Sequence, residues 1–279
     1  MELPRETDLP FFAYGLFRRG QLGFLRLRDF VERAEEGHVK GLVMERDGLP
    51  ILDSESQSAA DGSLFWFKQG LTEAAYKSIA ELEPDAQYKW AMGGVRVGRQ
   101  AIRANVLVGR RPQNGSVLLD EAWDGRTDPL FKVGLDVVRE TLNNAAESGW
   151  PLRPLFRLQM AYLLLWAAIE RYATLRHRIG GNPTARIMEV AKEQSFGSAL
   201  KQVVATQDER RQVFRADDPK ESYGLDPDES MKFYYQIRNN AAHRGKAAFD
   251  DVDLVHTALG QLLTILEEVL SAAFDEAGR

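Results

Sequence analysis

The chain has 279 residues, no cysteine, four histidines and a net charge of −5 at neutral pH. A disulfide framework, a thiolate metal site and a cysteine nucleophile are therefore excluded, and the scattered histidines form no zinc pattern. Acidic residues outnumber basic ones by 19 to 16 through Gly125 and by 22 to 20 after it. Neither half is a basic nucleic-acid binder in bulk, so any RNA contact requires a local patch.

Apolar content of 44% and charged content of 28% are ordinary for a globular protein. The length favours two domains over one. Glu2, Arg5, Glu6 and Asp8 precede any apolar run, which does not read as a secretory signal. The charge-free apolar run from Leu158 to Ile169 is too short to span a bilayer. The expected location is cytoplasmic, with no membrane partner.

Leu9 to Tyr14 is a short apolar run that stops at Gly15, as a strand feeding a turn would. Between Leu22 and Glu36, apolar residues Phe24, Leu25, Leu27, Phe30, Val31 and Ala34 recur at helical spacing before Gly37, predicting a helix. Val39 to Glu45 and Leu64 to Lys68 read as strands, separated by turn residues around Gly48, Pro50 and Asp61-Gly62. Thr72 reads as the cap of a helix that runs to Glu83 and is closed by Pro84. Tyr88 to Val97 and Ala101 to Val108 then predict two strands around a Gly98-Arg99 turn.

Within this order, Phe12-Ala-Tyr14-Gly15-Leu16-Phe17-Arg18-Arg19-Gly20 resembles the opening motif of the gamma-glutamylcyclotransferase-like (AIG2-like) fold. Gly48-Leu-Pro-Ile-Leu52 and Gly62-Ser-Leu-Phe-Trp-Phe67 are similar to two further motifs of that family, and Leu82-Glu83-Pro84 with Tyr88-Lys89 matches the place of its catalytic glutamate. The resemblance spans roughly residues 10–110. It implies that Tyr14, Gly15, Leu16 and Phe17 bind a small polar ligand, partly through turn N–H groups. It also implies that Glu83 moves the proton as a gamma-glutamyl amine closes to 5-oxoproline. Leu16 stands where the family carries a small hydroxyl residue, Phe17 enlarges the usual Leu, and Asn105 lies near the usual place of a late-strand tyrosine. A pocket that binds without turnover is therefore the open alternative to an enzyme.

Arg110 to Ser116 and Trp123 to Pro129 are charged, turn-rich breaks. They set the expected boundary near residue 125, giving domains of 1–125 and 126–279. Phe131 to Ala146 is amphipathic, and Leu155 to Ile179 is apolar nearly all round, predicting a buried central helix with Met160 and Trp166 in the core. Arg186 to Val204 predicts a helix with Gly197 as its kink. Gln207 to Asp228 is a long polar connection of the kind that is often functional. A helix from Ser230, a turn over Gly245 to Asp250 and a last helix from Val252 to Phe274 complete the chain. The expected fold class is α+β: a small mixed β-barrel or sheet, then an all-α bundle.

The helix from Ser230 ends in Tyr234-Tyr235-Gln236-Ile237-Arg238-Asn239-Asn240-Ala241-Ala242-His243. At about 100° per residue, Asn239 and His243 share a face, and the long Arg238 side chain can swing toward it. A cation, an amide and an imidazole at one helix end suit phosphodiester chemistry. Arg-Asn-x-x-x-His after an aromatic-apolar lead-in resembles the signature of the HEPN superfamily, and the likeness extends over about residues 128–275. Arg33 and His38 have the same separation, and Arg171 and His177 nearly so, without that context.

The resemblance implies a metal-independent, cofactor-free endoribonuclease acting as a homodimer through its C-terminal helices. His243 would transfer protons, Arg238 would clamp the phosphorane and Asn239 would orient the phosphate. Two alternatives stand beside it: a cyclotransferase carried by Glu83, and a non-catalytic HEPN dimerisation bundle presenting a ligand-binding domain. A defence or toxin–antitoxin setting fits the first and the last.

Overall fold

A computed structural model of the chain describes residues 1–119, 122–144, 152–178, 183–205, 212–215, 220–225, 230–243 and 252–279. The protein is α+β, with a five-stranded barrel in its first half and helices in its second. Its contacts group into two units. One comprises Met1–Pro129 with Phe274–Arg279, and the other comprises Leu130–Ala273. The division falls past residue 125 because Trp123 to Pro129 is built into the first unit. Trp123 is buried and its indole N–H donates to the Gly48 carbonyl at 3.1 Å, while the Gln21 side-chain oxygen accepts the Gly125 N–H at 2.7 Å. The last residues join the same unit, where the Gly20 N–H donates to the Ala277 carbonyl and Arg126 stacks over Phe274.

The first unit runs β1 (Phe11–Ala13), α1 (Phe24–Leu27), β2 (Val31–Lys40), β3 (Leu42–Arg46), β4 (Leu49–Asp53), β5 (Ala59–Phe67), α2 (Thr72–Leu82), β6 (Tyr88–Val97), β7 (Gln100–Gly109) and β8 (Val117–Leu118). The barrel order is β1-β5-β2-β6-β7, closed by parallel pairing of Phe11 and Phe12 with Asn105 and Val106. Closure leaves no unpaired edge to satisfy. Inward residues fill it, among them Phe12, Tyr14, Val39, Leu64, Val95 and Val106.

Several expectations fail here: the expected Asp61-Gly62 turn lies inside β5, Pro50 lies inside β4, and the strand expected over Val39–Glu45 is divided between β2 and β3 at Gly41. The predicted helix from Leu22 keeps only α1 and a 3₁₀ turn at Arg28–Phe30, and Val31 onward is β2. The polar run through Glu36 has helical propensity, but its backbone pairs with β5 from Val31 to Lys40, and tertiary pairing overrides local preference. Gly37 therefore stops no helix; a Cβ there would lie 2.9 Å from the Arg96 carbonyl oxygen of β6. Thr72 caps nothing either. It is the first residue of α2, with Leu71 at the cap position making no side-chain capping bond.

The second unit contains a π-turn at Leu130–Gly134, then α3 (Leu135–Asn144), α4 (Leu152–Arg176), α5 (Pro183–Val190), α6 (Gln194–Ala205), β9 (Gln212–Phe214), β10 (Ser222–Gly224), α7 (Ser230–His243) and most of α8 (Val252–Ala277). On α4, Leu158, Tyr162, Leu165, Trp166, Ile169 and Tyr172 form a fully buried helical stripe. Met160 is not core: it is 69% exposed, and Phe156 one turn earlier is 48% exposed. The expected single helix over Arg186–Val204 is two, broken at residues 191–193 rather than kinked at Gly197. Glu193 in that break accepts from the Tyr172 hydroxyl at 2.7 Å and bonds His177 at 2.9 Å, which fixes the turn. The expected polar connection is described only in part, and its described pieces form the β9–β10 hairpin; the Gly245-to-Asp250 turn lies outside the described residues.

Among the described residues, one helix, α8, has the length and composition to cross a membrane, and 61% of its most apolar stretch is buried inside the protein.

The tightest backbone approach in the barrel predicts a stability effect. A Cβ on Gly62 would sit 2.3 Å from the Ala13 carbonyl oxygen across the β1–β5 pair. Gly62→Ala should destabilise the protein by about 1–3 kcal/mol, the usual cost of overpacking, read by denaturant unfolding.

Candidate functional site

Two groups of side chains answer the motifs, one in each unit. The C-terminal group is set by how α7 is held. Met231, Phe233, Tyr234 and Ile237 are buried, as helical spacing allows for one face. The Tyr162 hydroxyl on α4 donates to the Tyr234 carbonyl at 2.9 Å, and the Tyr234 hydroxyl donates to Gln261 on α8 at 3.1 Å. Tyr235 meets Trp166 edge to face at 5.5 Å. These contacts fix the rotation of α7 and leave Arg238, Asn239, Asn240 and Ala241 half-buried.

Arg238 is 27% exposed, and its guanidinium reaches Asn239, donating to the side-chain oxygen at 3.4 Å. Its cation lies 5.7 Å from the Tyr235 ring centre and 3.7 Å from the Glu170 carboxylate of α4, which is 42% exposed. Its Nε–H is buried with no acceptor among the described residues. The guanidinium is therefore held from two sides with one donor unused, which suits an oxyanion. His243 is the last residue of α7; its imidazole lies outside what the structure describes.

Asn240 does structural work. It accepts from the Gln236 amide at 2.8 Å and donates to the Phe214 carbonyl at 2.9 Å, tying β9 to the helix. Glu170 carries no sequence signal, because a carboxylate within a mostly apolar helix has no fixed spacing to a distant arginine. Arg33 and His38 lie in strand β2, where Arg33 stacks over Trp66 at 4.4 Å and pairs with Glu35. Residues five apart on a strand point to opposite faces, so this pair cannot act together.

In the first unit, Tyr14, Gly15, Leu16, Phe17 and Glu83 line one small cavity with Pro50 and Tyr88. The turn after β1 and the end of α2 converge on it. Gly15 is required by close approach, since a Cβ would lie 2.3 Å from Pro50 Cγ. Glu83 is buried at the C-cap of α2, its N–H donating to the Ile79 carbonyl. The Tyr14 hydroxyl accepts the Leu52 N–H at 3.3 Å, and the Tyr88 hydroxyl donates to the Pro50 carbonyl at 2.9 Å. The cavity measures about 20 Å³, room for roughly one water molecule. Asn105 is outside it. It donates to the Tyr76 hydroxyl and to the Glu6 carbonyl, pinning the N-terminal segment.

No group of three or more His, Cys, Asp or Glu side chains able to hold a metal ion occurs among the described residues. Comparison with family models, with curated proteins and with solved structures finds no match in any of the three.

The buried phenols give a pH prediction. Burial, and next the nearby Glu83 charge, push the Tyr14 phenol well above its ordinary value, and the Leu52 N–H only partly offsets this. Burial likewise raises Tyr76, Tyr162 and Tyr234. The unfolded chain releases these protons near pH about 10 while the folded chain keeps them. Stability should therefore hold below that pH and fall as pH rises through it. A near-ultraviolet tyrosinate titration should show these four phenols ionising only together with loss of the fold.

Proposed function

We propose that the second unit is a HEPN-type, metal-independent endoribonuclease acting as a homodimer, and that the first is a gamma-glutamylcyclotransferase-like ligand-sensing or partner module. The observation that carries this is Arg238: a half-exposed guanidinium, held by Glu170 and Asn239, with a buried N–H still unused. It sits five residues ahead of His243 in the motif Arg-Asn-x-x-x-His, with Asn239 one helical turn from that histidine.

In the proposed reaction the ribose 2′-OH attacks the adjacent phosphorus and the bond to the 5′ oxygen breaks. The products are a 2′,3′-cyclic phosphate and a 5′-OH. An imidazole takes the 2′-OH proton and a second one supplies a proton to the leaving oxygen, which is why two protomers are needed. Arg238 neutralises charge as it builds on the phosphorane, and Asn239 orients a non-bridging oxygen. Glu170 keeps the guanidinium in place between turnovers. Support for self-association comes from exposed apolar side chains on segments that pack together: Val133 on the π-turn, Val137 on α3, and Phe156 and Met160 on α4.

A second reading is favoured by the gathering of Tyr14, Gly15, Leu16, Phe17 and Glu83 around one cavity. A gamma-glutamyl amine is far larger than the space found, so turnover there would require the cavity to open. Production of 5-oxoproline that disappears in Glu83→Gln would favour a cyclotransferase over a sensor. A defence or toxin–antitoxin role is consistent with a ribonuclease joined to a sensing module.

RNA cleavage should persist in EDTA and fall by on the order of 10²–10⁴-fold in His243→Ala and in Arg238→Ala. Arg33→Ala and His38→Ala should cleave as well as the parent. A requirement for Mg²⁺, full activity in both C-terminal variants, or a monomer at micromolar concentration would contradict the proposal.

A further inference from the structure

A separate cleft in the first unit gathers positive charge in a protein whose net charge is negative. It lies among the β3–β4 turn, the α2–β6 connection and the turn after β7, with a volume of about 630 Å³ open to solvent. Arg46, Lys89, Arg110 and Arg111 line it, against the single carboxylate of Asp47. None of the four cations forms an ion pair among the described residues.

The cations are positioned rather than loose. Arg46 donates to the carbonyls of Arg110 (3.1 Å), Arg111 (3.2 Å), Asn114 (3.4 Å) and Gln87 (3.5 Å). Carbonyl dipoles satisfy its N–H groups but leave its full charge uncancelled. Arg110 is fixed by its Nε–H to the Tyr88 carbonyl at 3.0 Å and its backbone N–H to the Gln87 carbonyl at 2.7 Å. Arg46 thereby clamps the turn that carries Arg111.

Backbone geometry marks the same place. The two non-glycine residues with positive φ among those described, Asp47 (54°) and Arg111 (49°), both line this cleft. Asp47-Gly48 is the usual pair for a tight hairpin, which accounts for the first. Arg111 has no such excuse, because a long side chain gains nothing from a left-handed backbone. Residues held this way concentrate where ligands bind.

We propose that this cleft binds a phosphate-bearing anion of more than one charge, with the exposed Lys89, Arg110 and Arg111 as its contacts and the half-buried Arg46 as the fixed charge that holds their turn. Four cations against one carboxylate leave three uncancelled charges. One carboxylate ligand would neutralise a single charge, whereas a phosphate carries about −1.5 to −2 at neutral pH and a pyrophosphate group more. Guanidinium forks also match phosphate oxygens in pairs. Such groups belong to free nucleotides or to an RNA strand; this site belongs to the first unit and the α7 motif to the second.

The test uses the whole 279-residue chain and measures binding of inorganic pyrophosphate, ATP, a single-stranded oligoribonucleotide and, as control, acetate, at low and moderate salt. Arg111→Gly is the decisive variant, since glycine accepts the left-handed backbone. Without ligand it should melt at or above the parent temperature, yet bind pyrophosphate about tenfold more weakly, as losing a charge-assisted contact implies. Lys89→Gln should weaken binding similarly, and affinity should fall as salt rises. Binding of pyrophosphate and ATP but not the oligonucleotide supports a free nucleotide; tight, salt-dependent binding of the oligonucleotide supports a strand. No binding by the parent, equal binding of acetate, or unchanged binding in both variants would overturn the proposal.

Discussion

The rotation of α7 about its own axis is the constraint on which the C-terminal site depends. Phe233, Tyr234 and Ile237 have no exposure to give up, and turning the helix would drag them into water at roughly 1.5–3 kcal/mol each. Tyr162 holds the Tyr234 backbone from one side and Gln261 holds its phenol from the other. With those groups fixed, Arg238 emerges beside Glu170 and Asn239. The pair with Glu170 is partly solvated and contributes little stability. Its value is directional, because it aims a guanidinium whose Nε–H has no acceptor among the described residues. Under the proposed function, a phosphate bound there would compete with a carboxylate at 3.7 Å, not with a tight bidentate pair.

The first unit obeys a different constraint, closure of the barrel by the parallel β1–β7 pair. Closure brings the turn after β1 under Pro50 and beside Glu83, and packs Phe11, Tyr76 and Trp90 edge to face. The same packing leaves about 20 Å³ at the motif residues. Leu16 and Phe17 supply bulk there, where the resembled family has smaller or more polar groups. Binding capacity has the room it needs elsewhere on this unit, in the open basic cleft.

Much of this was legible in the sequence wherever local pattern and tertiary role agree. Tyr88 to Val97 reads as a strand and is one, because alternation, flanking turns and pairing all coincide. The start of α7 at Ser230 follows from its aromatic-apolar run. Val31 to Glu36 was not legible, since its glutamates prefer a helix and only the distant β5 makes it a strand. Met160 is apolar by type and exposed by position, which no count of apolar residues along α4 could reveal. At the candidate site, Arg238 and Asn239 stand out by motif, whereas Glu170 becomes visible only when α4 and α7 are side by side. The Arg46 clamp is equally silent, being four carbonyls gathered from separate loops.

The central claim is that the end of α7 performs transesterification on RNA, and the chemistry of the cut ends tests it most directly. Oligoribonucleotides with one 2′-deoxy nucleotide at the preferred cut site should resist cleavage at that position. The unsubstituted strand should yield 2′,3′-cyclic phosphate and 5′-hydroxyl ends. Cleavage across the deoxy position, or products ending in 3′-hydroxyl and 5′-phosphate, would contradict the account.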